Sequence, residues 1–283
     1  MLRRSRLAVL ERYRADLTER ELARETVSKY VRDAERFMAA LGQGARLARL
    51  TKADVVGYKE SLVGRYAPAS VNTMLSSLNS FLEFAGHAEC KAKHLRIQRE
   101  TYRDASEDLA KDEYRRLVSA ADACGRRRSS LAVQTLCSTG MRASELRSVT
   151  AEAVREGRVR IASKGKIRTV WLPDGLQDSL AAFARDEGIG EGPVFRARAG
   201  GPLSRFSLWR EMQALAAAAG VERSKAHPHN LRHLFARTFY EEFGDISALG
   251  DLLGHARLET TRIYLMTTGA ENQRRLGRLE LAV

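Results

Sequence analysis

The chain has only three cysteines, Cys90, Cys124 and Cys137. Their number is odd and no pair has C-x-x-C spacing, so neither a disulfide framework nor a cysteine-based zinc site is expected, and a reducing cytoplasmic setting fits. No run of about 18 apolar residues occurs, which leaves no candidate membrane-spanning helix. The opening MLRRSRLAVLERY is basic, but its apolar stretch stops at Leu10 and runs into Glu11 and Arg12, too short for a signal peptide. There is no G-x-x-x-x-G-K-[ST] loop to cradle a nucleoside triphosphate. Internal repeats and low-complexity tracts are also missing. Secreted and integral-membrane roles drop out, and no cofactor, metal or membrane partner is expected.

What the chain does have is positive charge. Its 283 residues include 48 Lys and Arg against 35 Asp and Glu, a formal charge of +13. Through Ala105 there are 20 basic and 13 acidic residues, and after it 28 and 22, so both parts are basic. A polyanion is the natural partner, with nucleic acid ahead of membrane phosphate; charge kept only for solubility is the plainer reading. The 44% apolar content suits a packed core of one large or two ordinary domains.

The first hundred residues read as helical. Val27, Tyr30, Val31, Ala34, Phe37, Met38 and Leu41 fall on one stripe. Thr51 and Asp54 are spaced as a capping box before a helix carrying Val55, Val56 and Leu62. After Pro68, Met74, Leu75, Leu78, Phe81, Leu82 and Ala85 again repeat at helical spacing. The polar Ser76, Ser77, Asn79 and Ser80 then read as a solvated face. Between Gly86 and Asp108 the apolar period lapses into charge. The reading is a helical domain over 1–90, a basic linker over 91–108 and a second domain over 109–283. The second domain is helical apart from strand-like segments at Arg158–Ala162 and Ile167–Leu172, joined by the turn SKGK.

Four stretches of that domain gather side chains suited to phosphoryl transfer: TGMRASEL from Thr139, SKGKIRTV from Ser163, HPHNLRHLFA from His227 and LLGHARLETTRIY from Leu252. Guanidinium forks answer the charge that builds on a phosphodiester under attack, which makes Arg142 and Arg232 a candidate clamp. Taken alone, Arg142 could equally pair with Glu145 one helical turn away. His229 and Arg232 share a helix face in H-x-x-R, and His229 is the candidate general base. A tyrosine hydroxyl titrates near 10, so Tyr264 needs a base or a cationic setting before it attacks phosphorus. His227, His229 and His233 have a spacing that can bind zinc, but no cysteine or acidic cluster stands nearby. Arg126, Arg127 and Arg128 form a basic run, either solvated or in contact with phosphate.

In order and spacing these stretches resemble the signature of the tyrosine recombinase, or phage integrase, family: Arg, Lys, His-x-x-Arg, His or Trp, then Tyr nine residues on. Here the pattern is met by Arg142, Lys164, His229, Arg232, His255 and Tyr264. The resemblance implies that Lys164 delivers a proton to the leaving 5′ oxygen, with Lys166 as a phosphate contact in the same turn. It implies that Glu145 orients Arg142, that His255 contacts the phosphate or the nucleophile, and that His233 supports the site from behind. The expected fold is mainly α with a small antiparallel β-sheet in the C-terminal domain, two domains closing as a C-shaped clamp on DNA. No extra arm-binding module is expected ahead of the first domain, which favours a simple Xer-like or transposon-type enzyme.

The implied reaction is site-specific recombination through a 3′-phosphotyrosine and a Holliday junction, by a homotetramer on double-stranded DNA with paired inverted-repeat sites. A second recombinase or a DNA-bending factor is left open. The tail 267–283, amphipathic at Leu276, Leu279 and Leu281, is implied to dock on a neighbouring protomer. The competing readings are a type IB-like topoisomerase and a non-catalytic accessory DNA-binding protein.

Overall fold

The computed structural model describes residues 2–42, 47–97, 108–163, 166–198, 200–254, 261 and 277–278, with backbone alone at 2–6, 163 and 166. The chain divides into two compact units, Met1–Arg99 and Glu100–Val283, each with its own apolar core.

The first unit consists of α1 (Leu2–Glu19), α2 (Arg24–Ala40), α3 (Lys52–Leu62) and α4 (Pro68–Phe84). Along α2 the expected stripe buries Val27, Val31, Ala34, Phe37 and Met38. Helix α1, which the apolar pattern did not single out, adds Leu10, Tyr13 and Leu17, and the Tyr13 ring meets Phe81 edge-on at 5.2 Å. The capping box at α3 is formed in full. Asp54 N donates to Thr51 Oγ1 at 3.3 Å, and Thr51 N donates to Asp54 Oδ2 at 2.9 Å. Hydrogen bonds from the Thr51 side chain and amide hold the Asp54 carboxyl below its usual range. Val55 and Leu62 are buried as expected, whereas Val56 points to solvent.

The polar residues of α4 depart from a simple solvated face. Ser77 is buried, and Lys29 Nζ donates to Ser77 Oγ at 2.8 Å and to the buried Asp33 at 2.7 Å. Asn79 Nδ2 donates to the Ala92 carbonyl at 2.9 Å while its Oδ1 accepts the Ala92 amide at 2.8 Å. Asn72 grips Leu95 in the same two-way fashion, at 2.9 and 2.7 Å. An extended backbone needs a partner for each amide and carbonyl, and an asparagine side chain supplies both at once. Residues 91–97, the start of the basic stretch, therefore run against α4.

The second unit contains α5 (Lys111–Ala123), α6 (Arg127–Thr139), a 3₁₀ helix (Ala143–Ser148), α7 (Ala151–Arg155), β1 (Arg158–Ser163), β2 (Lys166–Trp171), α8 (Asp174–Asp186), α9 (Arg205–Ala219), α10 (Pro228–Phe243) and α11 (Ile246–Leu253). It is mainly α with a two-stranded antiparallel sheet, as the sequence implies. β1 and β2 pair from Arg158↔Trp171 to Ser163↔Lys166, so just two residues, 164 and 165, separate the paired ends. Val159, Ile161 and Val170 face inward to the core shared with the helices. Among the described residues no helix is long and apolar enough to cross a membrane.

Helix α6 packs against α10 and ends at Gly140, whose φ of +64° only glycine adopts without strain. A Cβ at Gly140 would lie 2.4 Å from Phe235 Cδ1 and 2.9 Å from Leu253 Cδ2. Side chains of α10 and α11 thus press directly on the backbone where α6 stops. Gly140→Ala is expected to cost about 2–4 kcal/mol through combined φ strain and overpacking, read as a lower urea midpoint with unchanged slope.

Candidate active site

The first component lies just beyond Gly140. Met141 is buried and anchors the turn, and Arg142 then precedes the 3₁₀ helix. Glu145 folds back on Arg142. Its Oε2 accepts the Arg142 amide at 2.7 Å, and its Oε1 accepts from the Arg142 guanidinium at 3.1 Å. The ion pair read from sequence is therefore present. It leaves the Arg142 side chain 45% exposed while Glu145 is only 9% exposed.

Helix α10 supplies the second component. Pro228 opens it, its fixed φ suited to a first helical position. His229, Arg232 and His233 follow within little more than a turn, on one face. Arg232 is 2% exposed, with Nη1 donating to the Gly140 carbonyl at 2.5 Å and Nη2 to the Leu253 carbonyl at 2.7 Å. His229 is exposed, and its ring meets that of the buried His233 edge-on, centroids 4.5 Å apart. The third component, α11, is capped at its start by Asp245, which accepts the Ser247 and Ala248 amides at 2.9 Å each. It ends at Gly254 with φ +66°.

Arg142, His229 and Arg232 line one cavity of about 630 Å³. Arg205, His227 and the stacked pair Phe206 and Trp209, centroids 5.7 Å apart, complete its wall. A pocket with this lining suits an anion, and the mixture of fixed cations and imidazoles is what phosphoryl chemistry uses.

Sequence reasoning passed over Arg168. Its Nη2 donates to Glu145 Oε2 at 2.6 Å and its Nη1 to the Leu252 carbonyl. Strand alternation carried the signal: residues 168 and 170 share a face, and Val170 belongs to the core. A basic residue on the buried face of a strand needs an internal partner, and Glu145 is that partner. Burial alone would push the Glu145 carboxyl up. The Arg142 amide and the Arg168 and Arg142 guanidinium groups outweigh it and hold the carboxyl below the ordinary range.

Lys164, His255 and Tyr264 lie outside the described residues, and Lys166 is described by its backbone alone, paired with Ser163. Arg126, Arg127 and Arg128 do not line the cavity of Arg142; they border a second one of about 890 Å³ with Arg196, Arg198 and Arg210. There Arg127 pairs with Asp186, and Arg128 pairs with Glu211 and donates to the Arg196 carbonyl at 2.6 Å. Among the described residues, the donor atoms close enough to share a metal belong to His87, Glu89 and Cys90 in the first unit. Their contacts also have an ordinary account: His87 Nδ1 lies 3.5 Å from Glu89 Oε1, and the Cys90 thiol donates to the same oxygen at 3.6 Å.

Residues 107–270 match the sequence profile of the phage integrase family, and residues 10–89 that of the phage integrase N-terminal SAM-like domain. The chain belongs to the phage integrase family of tyrosine recombinases. Tyrosine recombinase XerC of Brucella suis is 30% identical over 284 residues, covering 92% of this chain and 88% of that protein. Tyrosine recombinase XerD of Vibrio cholerae is 29% identical over 262 residues, 87% of each. In fold, the chain is similar to a lambda integrase tetramer bound to a Holliday junction, with a TM-score of 0.71 at 19% identity, covering 91% of this chain and 76% of that one. Within this tyrosine recombinase, the cavity of Arg142, His229 and Arg232 falls in the part matched to the family profile.

Because the folded Glu145 carboxyl sits below its ordinary 4.5, its ionised form stabilises the fold above that value, and the contribution is lost as pH falls through the folded value. Glu145→Gln is expected to cost about 2 kcal/mol at neutral pH. In urea titrations from pH 7 downward, the gap between wild type and variant should close as the solution becomes acidic; a gap independent of pH would contradict this.

Proposed function

We propose that this recombinase is site-specific, cutting and rejoining DNA through a covalent bond between Tyr264 and a 3′ phosphate. One observation carries the reading: Arg142, His229 and Arg232, from distant stretches of sequence, line a single cationic cavity. The excess of 13 positive charges supports a polyanionic substrate.

In the proposed reaction the scissile phosphate enters the cavity. Arg142, the more exposed of the two arginines, grips its non-bridging oxygens, and Arg232 adds positive charge from the buried side. His229 takes the phenolic proton as Tyr264 Oη attacks phosphorus. The P–O5′ bond breaks, and Lys164 supplies the proton that leaves with the 5′ oxygen. His255 steadies the phosphate or the nucleophile, and His233 supports His229 through their ring contact. The phosphoester bond is kept in the adduct, so attack by a 5′-hydroxyl from another strand reverses the chemistry without ATP.

Assembly follows the same proposal: a homotetramer pairs two inverted-repeat sites in the cytoplasm and exchanges strands through a Holliday junction. The lambda integrase tetramer, similar in fold, supports that arrangement. Arg126, Arg127, Arg128 and Lys166 are assigned to the DNA backbone, the first three beside a cleft that also holds Arg196, Arg198 and Arg210.

The test mixes wild type and Tyr264→Phe with nicked duplexes of random sequence, denatures them and sequences the DNA still attached to protein. Wild type should retain a recurring inverted repeat, and Tyr264→Phe should retain nothing while binding DNA with nearly unchanged affinity. Adducts without sequence preference would favour topoisomerase action, and no adduct at all an accessory binding protein. Removal of residues 269–283 is expected to impair recombination more than binding of a single half-site; equal loss of both would count against tail docking between protomers.

A further inference from the structure

The family pattern of catalytic residues leaves Arg168 without a task, yet its surroundings tie together two parts of the site. Its side chain comes from the inner face of β2 and is 14% exposed. One end of the guanidinium donates to Glu145 Oε2 at 2.6 Å, the other to the Leu252 carbonyl in the last turn of α11. The fit is close. A Cβ on Gly254 would lie 2.5 Å from Arg168 Cδ and 2.9 Å from its Nε, so the chain passes over the Arg168 stem at a residue with no side chain.

The Glu145 carboxylate serves two cations unequally. Arg168 holds Oε2 at 2.6 Å from within the protein, whereas Arg142 reaches Oε1 at 3.1 Å from an exposed position. A buried carboxylate draws strongly on whatever cation it faces, because little water screens the pair. With Arg168 removed, Arg142 would be the guanidinium left to neutralise Glu145 among the described residues, and would be drawn in toward it. With Arg168 present, the carboxylate is already compensated and the Arg142 fork can turn to another anion.

We infer that Arg168 is a positioning residue: by holding Glu145 and the Leu252 carbonyl together, it frees Arg142 for the scissile phosphate and fixes the end of α11 beside the Arg142 turn. The inference rests on the recombinase reading given above. It gives the β1–β2 hairpin a second contribution to the site besides the lysines of its turn. It also predicts a particular kind of defect, in which DNA is bound normally but cut slowly.

The experiment uses the full chain and a nicked duplex carrying the site selected by wild type, comparing wild type, Arg168→Lys, Glu145→Gln and the double variant. Lysine keeps the charge but replaces a two-nitrogen fork with one nitrogen. Single-turnover adduct formation by Arg168→Lys should be slower by about ten- to a hundredfold, the worth of a charge-assisted hydrogen bond, with half-site affinity within about threefold and little change in urea midpoint. In the Glu145→Gln background the same change should have little further effect, since the residue it acts through is already altered. An Arg168→Lys rate within twofold of wild type would overturn the inference. So would a parallel fall in cutting, affinity and stability, or additive effects in the double variant. Failure of wild type itself to form an adduct would instead remove the recombinase reading.

Discussion

The buried Arg232 guanidinium is the interaction on which the second unit's site depends. A charge at that depth is tolerated only with close partners. Arg232 finds them in two backbone carbonyls, Gly140 where α6 ends and Leu253 where α11 ends. The last carbonyls of a helix have no partner within it and carry the negative end of its dipole. One cation therefore bridges two helix ends. The Arg142 turn follows directly on one of those ends, so its place is set by the same side chain.

Much of this could be read from the order of residues. The apolar stripe of α2, the Thr51 and Asp54 cap and the hairpin on either side of residues 164 and 165 follow from local rules, which act within a few residues and leave their mark there. The grouping of Arg142, His229 and Arg232 was legible through family spacing. What spacing could not express was where each side chain spends its hydrogen bonds. Arg232 reads as half of a phosphate clamp, yet both its terminal nitrogens engage backbone from elements 92 and 21 residues away. Asn79 reads as part of a wetted helix face because the backbone it holds lies beyond the end of its own helix. Such partnerships are tertiary, and no period in the sequence encodes them.

Net charge is an incomplete guide for a related reason. Arg168 and Arg232 are each engaged by internal carboxylates or carbonyls. A share of the positive charge thus organises the protein itself, and the potential offered to a polyanion comes from a smaller set of exposed side chains such as Arg142. Arginine suits both tasks because its planar fork can bridge two acceptors while keeping its charge at any working pH.

The hairpin that buries Arg168 does so by turning the usual polarity of a strand inside out. Ile167 and Trp171, on the opposite face of β2 from Arg168, are 67% and 63% exposed. The sheet has two strands and no third to cover either edge among the described residues. Exposed apolar side chains beside open backbone edges are the ingredients of sticky surfaces. The arginine that orders the interior therefore leaves its counterpart on the exterior, apolar side chains beside a strand edge that is open among the described residues.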